Sequence, residues 1–407
     1  MESTQAQNSE RPQVGPQHRR RAARTIAGIV GALALVIGSG AAGIAIGHAR
    51  TDDAASTRQP TSLGTTRPAM GTYGYGYGYG YRGDDSRFGE GYGQSRSYGA
   101  QSSQATSSTA TASQIAGLVR IQTTLGYEDG EGAGTGMILD SSGEVLTNRH
   151  VVQGATKITA TVMSTGKTYT ATVVGTDAKA DVAVIELEGA SGLSTVRTDS
   201  VLPSTGDDVT AVGDANGTTD HLTASPGTVS ALDQTITTSD ENGETSETLH
   251  GLIELAAGVV GGDSGGAVYD SDGEVVGMTT AASTTQALGY AIPIGSALTI
   301  ASNLENHVSN SDYAYGRPAF LGVALAASGT AATTTIGGVY SGTPAARAGL
   351  VAGDTITQVG PTKVLTGAQL QKAIAAHSPG DSVTITYTSP AGGTHTATVT
   401  LTEGPVS

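Results

Sequence analysis

The sequence has no cysteine, no tryptophan and only 2 phenylalanines in 407 residues. Without cysteine, the chain cannot form a disulfide scaffold, or a zinc or redox site built on thiolates. The scarcity of large aromatic side chains and the 59 glycines favour a β-rich chain with many turns and low-complexity tracts. No two histidines stand at the spacing of metal ligands, so we expect no zinc site, and nothing in the sequence demands a cofactor.

Charge divides the chain into two unlike parts. The formal net charge is −15, but residues 1–113 hold 11 Lys and Arg against 7 Asp and Glu, whereas residues 114–407 hold 10 against 29. Because a segment this acidic repels phosphates, we expect no nucleic acid as a partner. The length favours two or three folded units.

The first 47 residues predict a membrane anchor. Residues 1–24 are polar and end in a cluster of arginines, which is typical of a disordered basic tail. Residues 25–47 carry no charge, and a helix of this length crosses a hydrocarbon core of ~30 Å. The preceding arginines predict a cytoplasmic N-terminus, a single pass through the cell membrane and an extracytoplasmic remainder. The alternative is a cleaved signal peptide, although the apolar region of such peptides is usually only ~7–15 residues long.

Residues 48–113 predict a flexible linker. Ser, Thr, Gln, Ala and Gly dominate this segment, and tyrosine alternates with glycine from Tyr73 to Tyr81. Alternating glycine offers no second face that could pack, so we interpret the repeat as disordered. The alternative is that the tyrosines adhere to the cell wall or to one another.

From residue 114 onward, short apolar segments alternate with turn signals. The run Asp140-Ser141-Ser142-Gly143 lies between two such segments and predicts a hairpin. No long amphipathic helix interrupts this pattern before residues 294–308. The pattern predicts a mainly β fold, either a sandwich or a barrel.

The motif with the clearest chemistry is Gly262-Asp263-Ser264-Gly265-Gly266. A serine hydroxyl needs a base to take its proton and donors to hold the oxyanion that forms after its attack. A turn lined with glycine can direct backbone N–H groups at one point. It therefore predicts Ser264 as a nucleophile and an oxyanion hole over Gly262, Asp263 and Ser264.

Two upstream residues are candidates for the base and for the acid that orients it. They are His150, which precedes two valines, and Asp181, which begins an apolar segment. Each residue alone would more commonly be structural, and Asp177 is an alternative to Asp181 that lacks the apolar run. Together with Ser264 they follow the chain order His, Asp, Ser, which is the chymotrypsin order among convergent triads.

These three motifs resemble those of trypsin-like serine proteases, and most closely the HtrA branch. The segments Gly289–Pro293 and Gly342–Leu350 resemble the end of its peptidase domain and the signature of its PDZ domain. The resemblance implies two six-stranded, chymotrypsin-like β-barrels, with His150 and Asp181 in the first and Ser264 in the second. It further implies a PDZ domain and a possible homotrimer. The implied boundaries are a peptidase domain at 114–308, a linker at 309–317 and a PDZ domain at 318–403.

The resemblance also implies a substrate pocket. Its base would be Gly258, and its walls would include Leu288, Gly289 and Tyr290. Because no carboxylate lies at the base, we expect cleavage after small or medium apolar residues rather than after Lys or Arg. The sequence departs from the family pattern at Asp263, where asparagine is usual, and at Ala256, where aspartate is common.

A second site is implied in the PDZ domain. A peptide would add as a strand beside the edge of the domain, and its C-terminal carboxylate would bind the backbone N–H groups at the start of that edge. The residues implied are Arg317, Leu321, Gly322 and Val323 for the carboxylate, and Leu370 and Ile374 for the last side chain. The alternative is that this unit only packs against the peptidase domain and that these residues are core.

The sequence therefore predicts a membrane-anchored serine endopeptidase of the cell envelope that cleaves misfolded or regulatory proteins. Its expected partners are protein and peptide substrates, peptide C-termini and the membrane. The alternative from another functional class is a chaperone or peptide-binding scaffold with a latent peptidase domain. An esterase is disfavoured because the Gly-x-Ser-x-Gly elbow is absent.

Overall fold

The computed structural model describes residues 45–47, 107–127, 130–217, 220–239, 246–282, 288–328 and 331–407. The predicted basic tail, most of the predicted transmembrane helix and residues 48–106 of the predicted linker lie outside these ranges. Strand β1, Ala45–Gly47, falls within the predicted helix and is extended instead, since it pairs antiparallel with residues 237–239. Within the ranges described, every helix is too short or too polar to cross a membrane.

Six strands form the first barrel, namely β3 Leu118–Leu125, β4 Gly130–Ile138, β5 Glu144–Thr147, β6 Lys157–Val162, β7 Thr168–Asp177 and β8 Val182–Leu187. They lie in the order β7-β6-β3-β4-β5-β8, and the barrel closes because β8 pairs again with β7. Inward side chains alternate along its strands, as Tyr169, Ala171 and Val173 do, and they form an apolar core. A short helix, α1 Arg149–Val152, follows β5.

The hairpin predicted at residues 140–143 is confirmed between β4 and β5. The Oδ1 of Asp140 accepts the backbone N–H groups of Ser142, Gly143 and Glu144 at 2.9–3.1 Å. Gly143 has a φ of +119°, which glycine adopts at little cost. One side chain and one glycine thus set this turn.

Six strands also form the second barrel, namely β9 Asp208–Gly213, β10 Thr223–Ser239, β11 Ser246–Ala256, β12 Ala267–Tyr269, β13 Val275–Ala282 and β14 Gly289–Pro293. They lie in the order β10-β11-β14-β13-β12-β9, and the barrel closes because β9 pairs with β10. Strand β2, Ser108–Thr109, adds to β10, so the sheet of this barrel includes residues before the predicted domain boundary at residue 114. A 3-10 turn at Ala215–Gly217 follows β9.

A shared core joins the two barrels. It contains apolar residues of both, for example Leu146 and Met278, and it includes the buried face of α2, Ile294–Glu305. The loops that carry His150, Asp181 and Ser264 meet beside this core. The junction of the barrels therefore positions the candidate site.

The third unit is a small β-rich domain with two helices, α3 Pro344–Arg347 and α4 Gly367–Ala375. Thr366 caps α4 as predicted, because its hydroxyl accepts the N–H of Gln369 at 3.2 Å. The strands are β16 Ala319–Phe320, β17 Val323–Ser328, β18 Ala331–Val339, β19 Thr355–Val359, β20 Thr362–Lys363, β21 Ser382–Thr388, β22 Thr394–Thr400 and β23 Thr402–Glu403. The predicted architecture of two barrels followed by a PDZ-like unit is confirmed.

The segments that flank the third unit return to the first barrel. The predicted linker contains β15, Tyr313–Tyr315, which pairs with β7, and Tyr313 is buried in the shared core. After β23, Val406 is 3% exposed and enters the core of the first barrel. Its backbone exchanges hydrogen bonds with Gly154 and Ala155 at 2.8 and 3.1 Å.

Candidate active site

Ser264 lies in a tight turn between β11 and β12. The backbone at Gly262 and Gly265 has φ values of +91° and +80°, which residues with a Cβ rarely adopt. A Cβ at Gly262 would lie 2.1 Å from the Asp214 oxygen, and one at Gly265 would lie 2.1 Å from the Thr135 oxygen. Both glycines are therefore required, because the turn passes directly against the backbone of each barrel.

His150 and Asp181 form a pair on the first barrel. The Nδ1 of His150 lies 2.8 Å from Oδ2 of Asp181, and the backbone N–H of His150 donates to Oδ1 at 3.0 Å. Asp181 has a φ of +55°, and Asn148 Nδ2 donates to its carbonyl at 2.9 Å. Because its backbone and its carboxylate are both fixed, Asp181 can hold the imidazole in one orientation.

Asp177 makes different contacts. Its Oδ1 accepts the backbone N–H groups of Lys179 and Ala180 at 2.8 and 3.1 Å. It therefore caps the turn that leads into Asp181. The structure pairs His150 with Asp181 and gives Asp177 a local structural contact.

Thr280, on β13, joins Asp181 to Ser264, and sequence reasoning missed it. Its hydroxyl donates to Oδ2 of Asp181 at 2.6 Å, and its carbonyl accepts the Ser264 hydroxyl at 3.4 Å. Thr280 and Asp181 are 99 positions apart and lie on different barrels. Because Thr280 belongs to an ordinary strand segment, no sequence signal marked it.

The electrostatics of Asp181 favour a charged carboxylate. Burial alone would raise its pKa, but the charge of His150 and the hydrogen bonds from His150 and Thr280 outweigh burial and lower the pKa below its ordinary value. Asp181 is 2% exposed, while 20% of the His150 side chain is exposed. A buried carboxylate on Nδ1 stabilises the protonated ring, so His150 can take up a proton at Nε2.

Two backbone donors of the turn are available. Among the residues that the structure describes, the N–H groups of Gly262 and Ser264 have no acceptor. The N–H of Asp263 donates to the Val260 oxygen at 3.2 Å. Of the three predicted oxyanion-hole residues, Asp263 thus uses its N–H to close the turn, and the other two can serve a ligand.

The Asp263 side chain is buried behind the turn and is 2% exposed. Its Oδ2 accepts the Val260 N–H at 2.9 Å. Burial and the neighbouring carboxyl of Asp214 raise the pKa of Asp263 to about 7, against the opposing effect of the Val260 N–H. Asp214 is itself buried and forms an ion pair with Arg120, with Nε 3.0 Å from Oδ2.

Replacing Asp263 with asparagine is expected to raise the free energy of unfolding at pH 8 and to leave it nearly unchanged near pH 4. Because the pKa of Asp263 is raised above 3.8 in the folded state, the carboxyl is protonated in both the folded and the unfolded protein below that pH and does not lower the free energy of unfolding there. The cost grows as the pH rises and is complete above about 7. The gain at pH 8 should reach at most about 4 kcal/mol.

Urea unfolding of both proteins between pH 4 and 8 measures this gain. Glu144, whose pKa burial and Glu305 raise to about 8, titrates in both proteins and cancels in the difference. A difference that does not vary with pH would contradict the assignment.

Two of the residues predicted to line the substrate pocket are at least partly exposed. Gly258 is exposed, and its carbonyl accepts the Ser225 hydroxyl at 3.1 Å. Leu288 is half-buried and immediately precedes β14. Residues 283–287, which precede Leu288, lie outside the described residues.

The other two predicted wall residues are buried. Tyr290 is fully buried, and its hydroxyl donates to Oε2 of Glu254 at 3.0 Å. A Cβ on Gly289 would lie 2.4 Å from the Val259 side chain. The Tyr290 side chain is therefore core, and only backbone at these two positions can face a substrate.

One group of carboxylates has oxygens within 4.8 Å of one another, namely those of Asp199, Asp270 and Glu274. Glu274 forms an ion pair with Arg197 at 2.5 Å. Asp270 accepts the backbone N–H groups of Asp272 and Glu274, both at 2.9 Å. Asp270 and Glu274 thus stabilise the hairpin between β12 and β13, and Asp199 accepts the backbone N–H of Val201 at 2.9 Å.

Two segments of the chain match known protein families. Residues 134–278 match the family described as trypsin-like peptidase domain, and residues 319–401 match the PDZ domain. The serine protease Do-like HtrA of Lactococcus lactis is 34% identical over 282 residues, which cover 62% of this chain and 67% of that protein. The chain belongs to the HtrA family of serine proteases. It is a serine endopeptidase with a PDZ domain.

Two further proteins are similar to this chain. The serine protease PepD of Mycobacterium tuberculosis is 32% identical over 307 residues, which cover 70% of this chain and 64% of that protein. The solved HtrA-type protease AlgW with tripeptide has 27% sequence identity and a TM-score of 0.42, covering 72% of this chain and 96% of that one. The assignment to the HtrA family rests on the sequence relatives.

The PDZ domain presents the predicted start of a peptide site. Gly322 has a φ of +87°, and a Cβ there would lie 2.1 Å from the Cβ of Thr343. In the described part of the chain, the N–H groups of Leu321 and Gly322 have no acceptor, and Val323 begins β17. Two backbone donors are thus available beside a strand.

The side chains predicted to receive a ligand's last residue are mostly covered. Leu370 and Ile374 lie on α4 with 2% and 8% exposure, inside the core of the PDZ domain. Leu321 is likewise 3% exposed. The contribution of these side chains to a ligand pocket stays a prediction.

Arg317 contacts the peptidase domain. Its Nη2 donates to the Ala155 oxygen at 2.8 Å. Nearby, the ring of Tyr127 lies 4.9 Å from that of Phe320 and 5.0 Å from that of Tyr340. The segment before β17 therefore packs on the first barrel, and Arg317 takes part in the same interface.

Proposed function

We propose that Ser264, His150 and Asp181 act as a catalytic triad that hydrolyses peptide bonds. The observation that carries this proposal is the contact of the Asp181 carboxylate with His150 Nδ1 at 2.8 Å and with Thr280, whose carbonyl also binds Ser264. Three distant motifs thus converge between two barrels. The available N–H groups of Gly262 and Ser264 complete the set as oxyanion donors.

In the proposed reaction, Oγ of Ser264 bonds to the scissile carbonyl carbon while its proton passes to Nε2 of His150. The oxyanion accepts hydrogen bonds from Gly262 and Ser264. Nε2 then gives the proton to the leaving amine as the C–N bond breaks. A water molecule then gives a proton to the same nitrogen and adds to the acyl carbon. The bond between this carbon and Oγ of Ser264 breaks as Nε2 returns the proton to Oγ. The Ser264 hydroxyl donates to Thr280 in the structure, so attack requires that it turn to His150.

For the substrate, we propose proteins cleaved after small or medium apolar residues. The support is the uncharged base at Gly258, which cannot neutralise a Lys or Arg side chain. At the PDZ domain we propose that a peptide C-terminus binds the N–H groups of Leu321 and Gly322 and adds as a strand beside β17.

We also propose that residues 25–44, the part of the predicted span that precedes β1, anchor the chain in the membrane, with the peptidase and PDZ domains in the cell envelope. The support is the uncharged span and the arginines that precede it. Extraction of membranes with alkaline carbonate tests it. An anchored chain stays in the pellet, whereas release into the supernatant would contradict the anchor.

The experiment that tests the proteolytic function uses the full chain in detergent. It is treated with a serine-reactive fluorophosphonate and separately with casein, and the labelled peptide is identified by mass spectrometry. We expect one label, on Ser264, and cleavage of casein. A folded chain that neither labels nor cleaves, even with C-terminal peptides present, would contradict the proposal. Binding of casein without cleavage would favour the scaffold or chaperone alternative.

Replacing Thr280 with valine is expected to lower kcat by about 10- to 100-fold, because a hydrogen bond to a charged group contributes about 1.5–3 kcal/mol. Valine keeps the shape and the backbone carbonyl that accepts from Ser264, but it removes the donor to Asp181. Steady-state kinetics on a peptide substrate measure the effect, and KM should change little. Equal kcat in both proteins would show that Thr280 does not support Asp181.

A further inference from the structure

Thr135 is fully buried on β4, and all of its polar groups are used at the junction of the barrels. Its backbone N–H donates to the Ser264 oxygen at 2.8 Å, and its hydroxyl donates to the Gly262 oxygen at 3.0 Å. The same hydroxyl accepts the backbone N–H of Asp214 at 2.9 Å. Its carbonyl accepts the Thr147 hydroxyl at 2.7 Å. One residue of the first barrel thus binds two carbonyls of the turn that carries Ser264.

We propose that Thr135 is a positioning residue that fixes the oxyanion hole. The inference rests on the proposed proteolytic function. A carbonyl and the following N–H share one rigid peptide plane, so holding the oxygen sets the direction of the N–H. Thr135 holds the planes that begin at Gly262 and at Ser264, which flank the donor of Ser264 on both sides.

The remaining two planes of the turn are held by other contacts. The oxygen of Asp263 accepts the Gly266 N–H at 2.9 Å, and this fixes the plane that carries the Ser264 donor. The oxygen of Gly261 accepts the Asn216 N–H at 2.6 Å, and this fixes the plane that carries the Gly262 donor. Asn216 lies two residues after Asp214, whose N–H Thr135 binds. Thr135 therefore acts on the Ser264 donor through the two peptide planes beside it, and on the Gly262 donor through this loop.

External support is needed because the turn is rich in glycine. Glycine has more backbone conformations available than any other residue, so Gly261 and Gly262 do not fix their own peptide planes. A hydroxyl offers one donor and two acceptor positions, which suits a residue that must bind a carbonyl and an N–H together. Valine has the same shape but can do neither. It would leave the Gly262 oxygen and the Asp214 N–H unpaired.

The test compares the full-length parent with Thr135→Val and Thr135→Ser. Serine keeps the hydroxyl, whereas valine keeps the volume. Thr123→Val is a matched control, because Thr123 is a threonine of the same barrel that is 3% exposed. For the valine variant at position 135 we expect kcat to fall by about 10- to 100-fold, less than the 10²–10³ of losing an oxyanion donor outright. KM should stay within about twofold, and Thr135→Ser should keep kcat within about threefold of the parent.

A second readout does not depend on activity. Hydrogen exchange of the peptides that span residues 258–268 should accelerate at least tenfold in Thr135→Val and should not change in Thr135→Ser or Thr123→Val. Unaltered exchange, or equal kcat loss in the serine and valine variants, would overturn the role of the Thr135 hydroxyl. A loss of activity that merely follows the unfolded fraction, seen by circular dichroism, would overturn it as well. An inactive parent would contradict the proposed function, and hydrogen exchange would still decide the role of Thr135.

Discussion

Replacing Ser264 with alanine is expected to lower kcat by about 10⁶-fold, the size of effect seen when a serine nucleophile is removed. The substitution deletes one oxygen whose described contact is a 3.4 Å hydrogen bond to Thr280. The backbone contacts of the turn with Thr135 do not involve that oxygen. The fold should therefore persist while acylation stops.

Casein cleavage and fluorophosphonate labelling measure this loss. Circular dichroism and binding of a C-terminal peptide to the PDZ domain serve as controls, and both should match the parent. If the alanine variant cleaves casein at more than about a thousandth of the parental rate, the nucleophile is not Ser264.

Replacing Asp181 with asparagine is expected to lower kcat by about 10⁴-fold at neutral pH. The carboxylate accepts three hydrogen bonds, two from His150 and one from Thr280. An amide has a single oxygen, so at least one of its positions must present an N–H to a donor. The imidazole would then adopt the wrong tautomer, with its proton at the nitrogen that should accept from Ser264.

Asp177→Asn is the matched control for that substitution. Asp177 lies four residues earlier, and within the described residues its side chain accepts hydrogen bonds only from the backbone N–H groups of Lys179 and Ala180. Its kcat should stay within about tenfold of the parent, since such a change alters a turn by about 1 kcal/mol. Comparable losses of kcat in both variants would show that activity depends on the structure of residues 177–181 and not specifically on the Asp181 carboxylate.

Sequence reasoning succeeded where structure depends on chain neighbours. Asp140 and Gly143 set their hairpin within four residues, and Thr366 caps a helix that begins at the next residue. The strand rhythm of each barrel follows from alternation of apolar residues. The requirement for glycine at Gly262 also follows from local geometry, since the turn needs a positive φ there.

Contacts between the two barrels could not be predicted from the sequence. Thr280 lies 99 positions from Asp181, and Thr135 lies 127 positions from Gly262. Neither threonine has a local pattern that distinguishes it from other strand threonines. Their roles arise only when closure of two barrels brings strand β4 and strand β13 beside the turn.

The burial of the Tyr290 side chain was not predictable for a related reason. The first four residues of β14 are all buried, so the strand shows no alternation between a covered and an open face. A sequence pattern therefore could not say which side chains of this strand line a pocket. The burial of Tyr313 within a predicted linker was not predictable either, because four polar residues precede it in the sequence.

The two ends of the PDZ unit are attached at one point. Arg317, just before the unit, and Val406, just after it, both donate to the Ala155 oxygen, at 2.8 and 3.1 Å. The entry and the exit of the unit therefore lie beside the same residue of the first barrel. A rotation of the unit about Ala155 would leave both attachments in place, but it would break the ring contacts of Tyr127 with Phe320 and Tyr340.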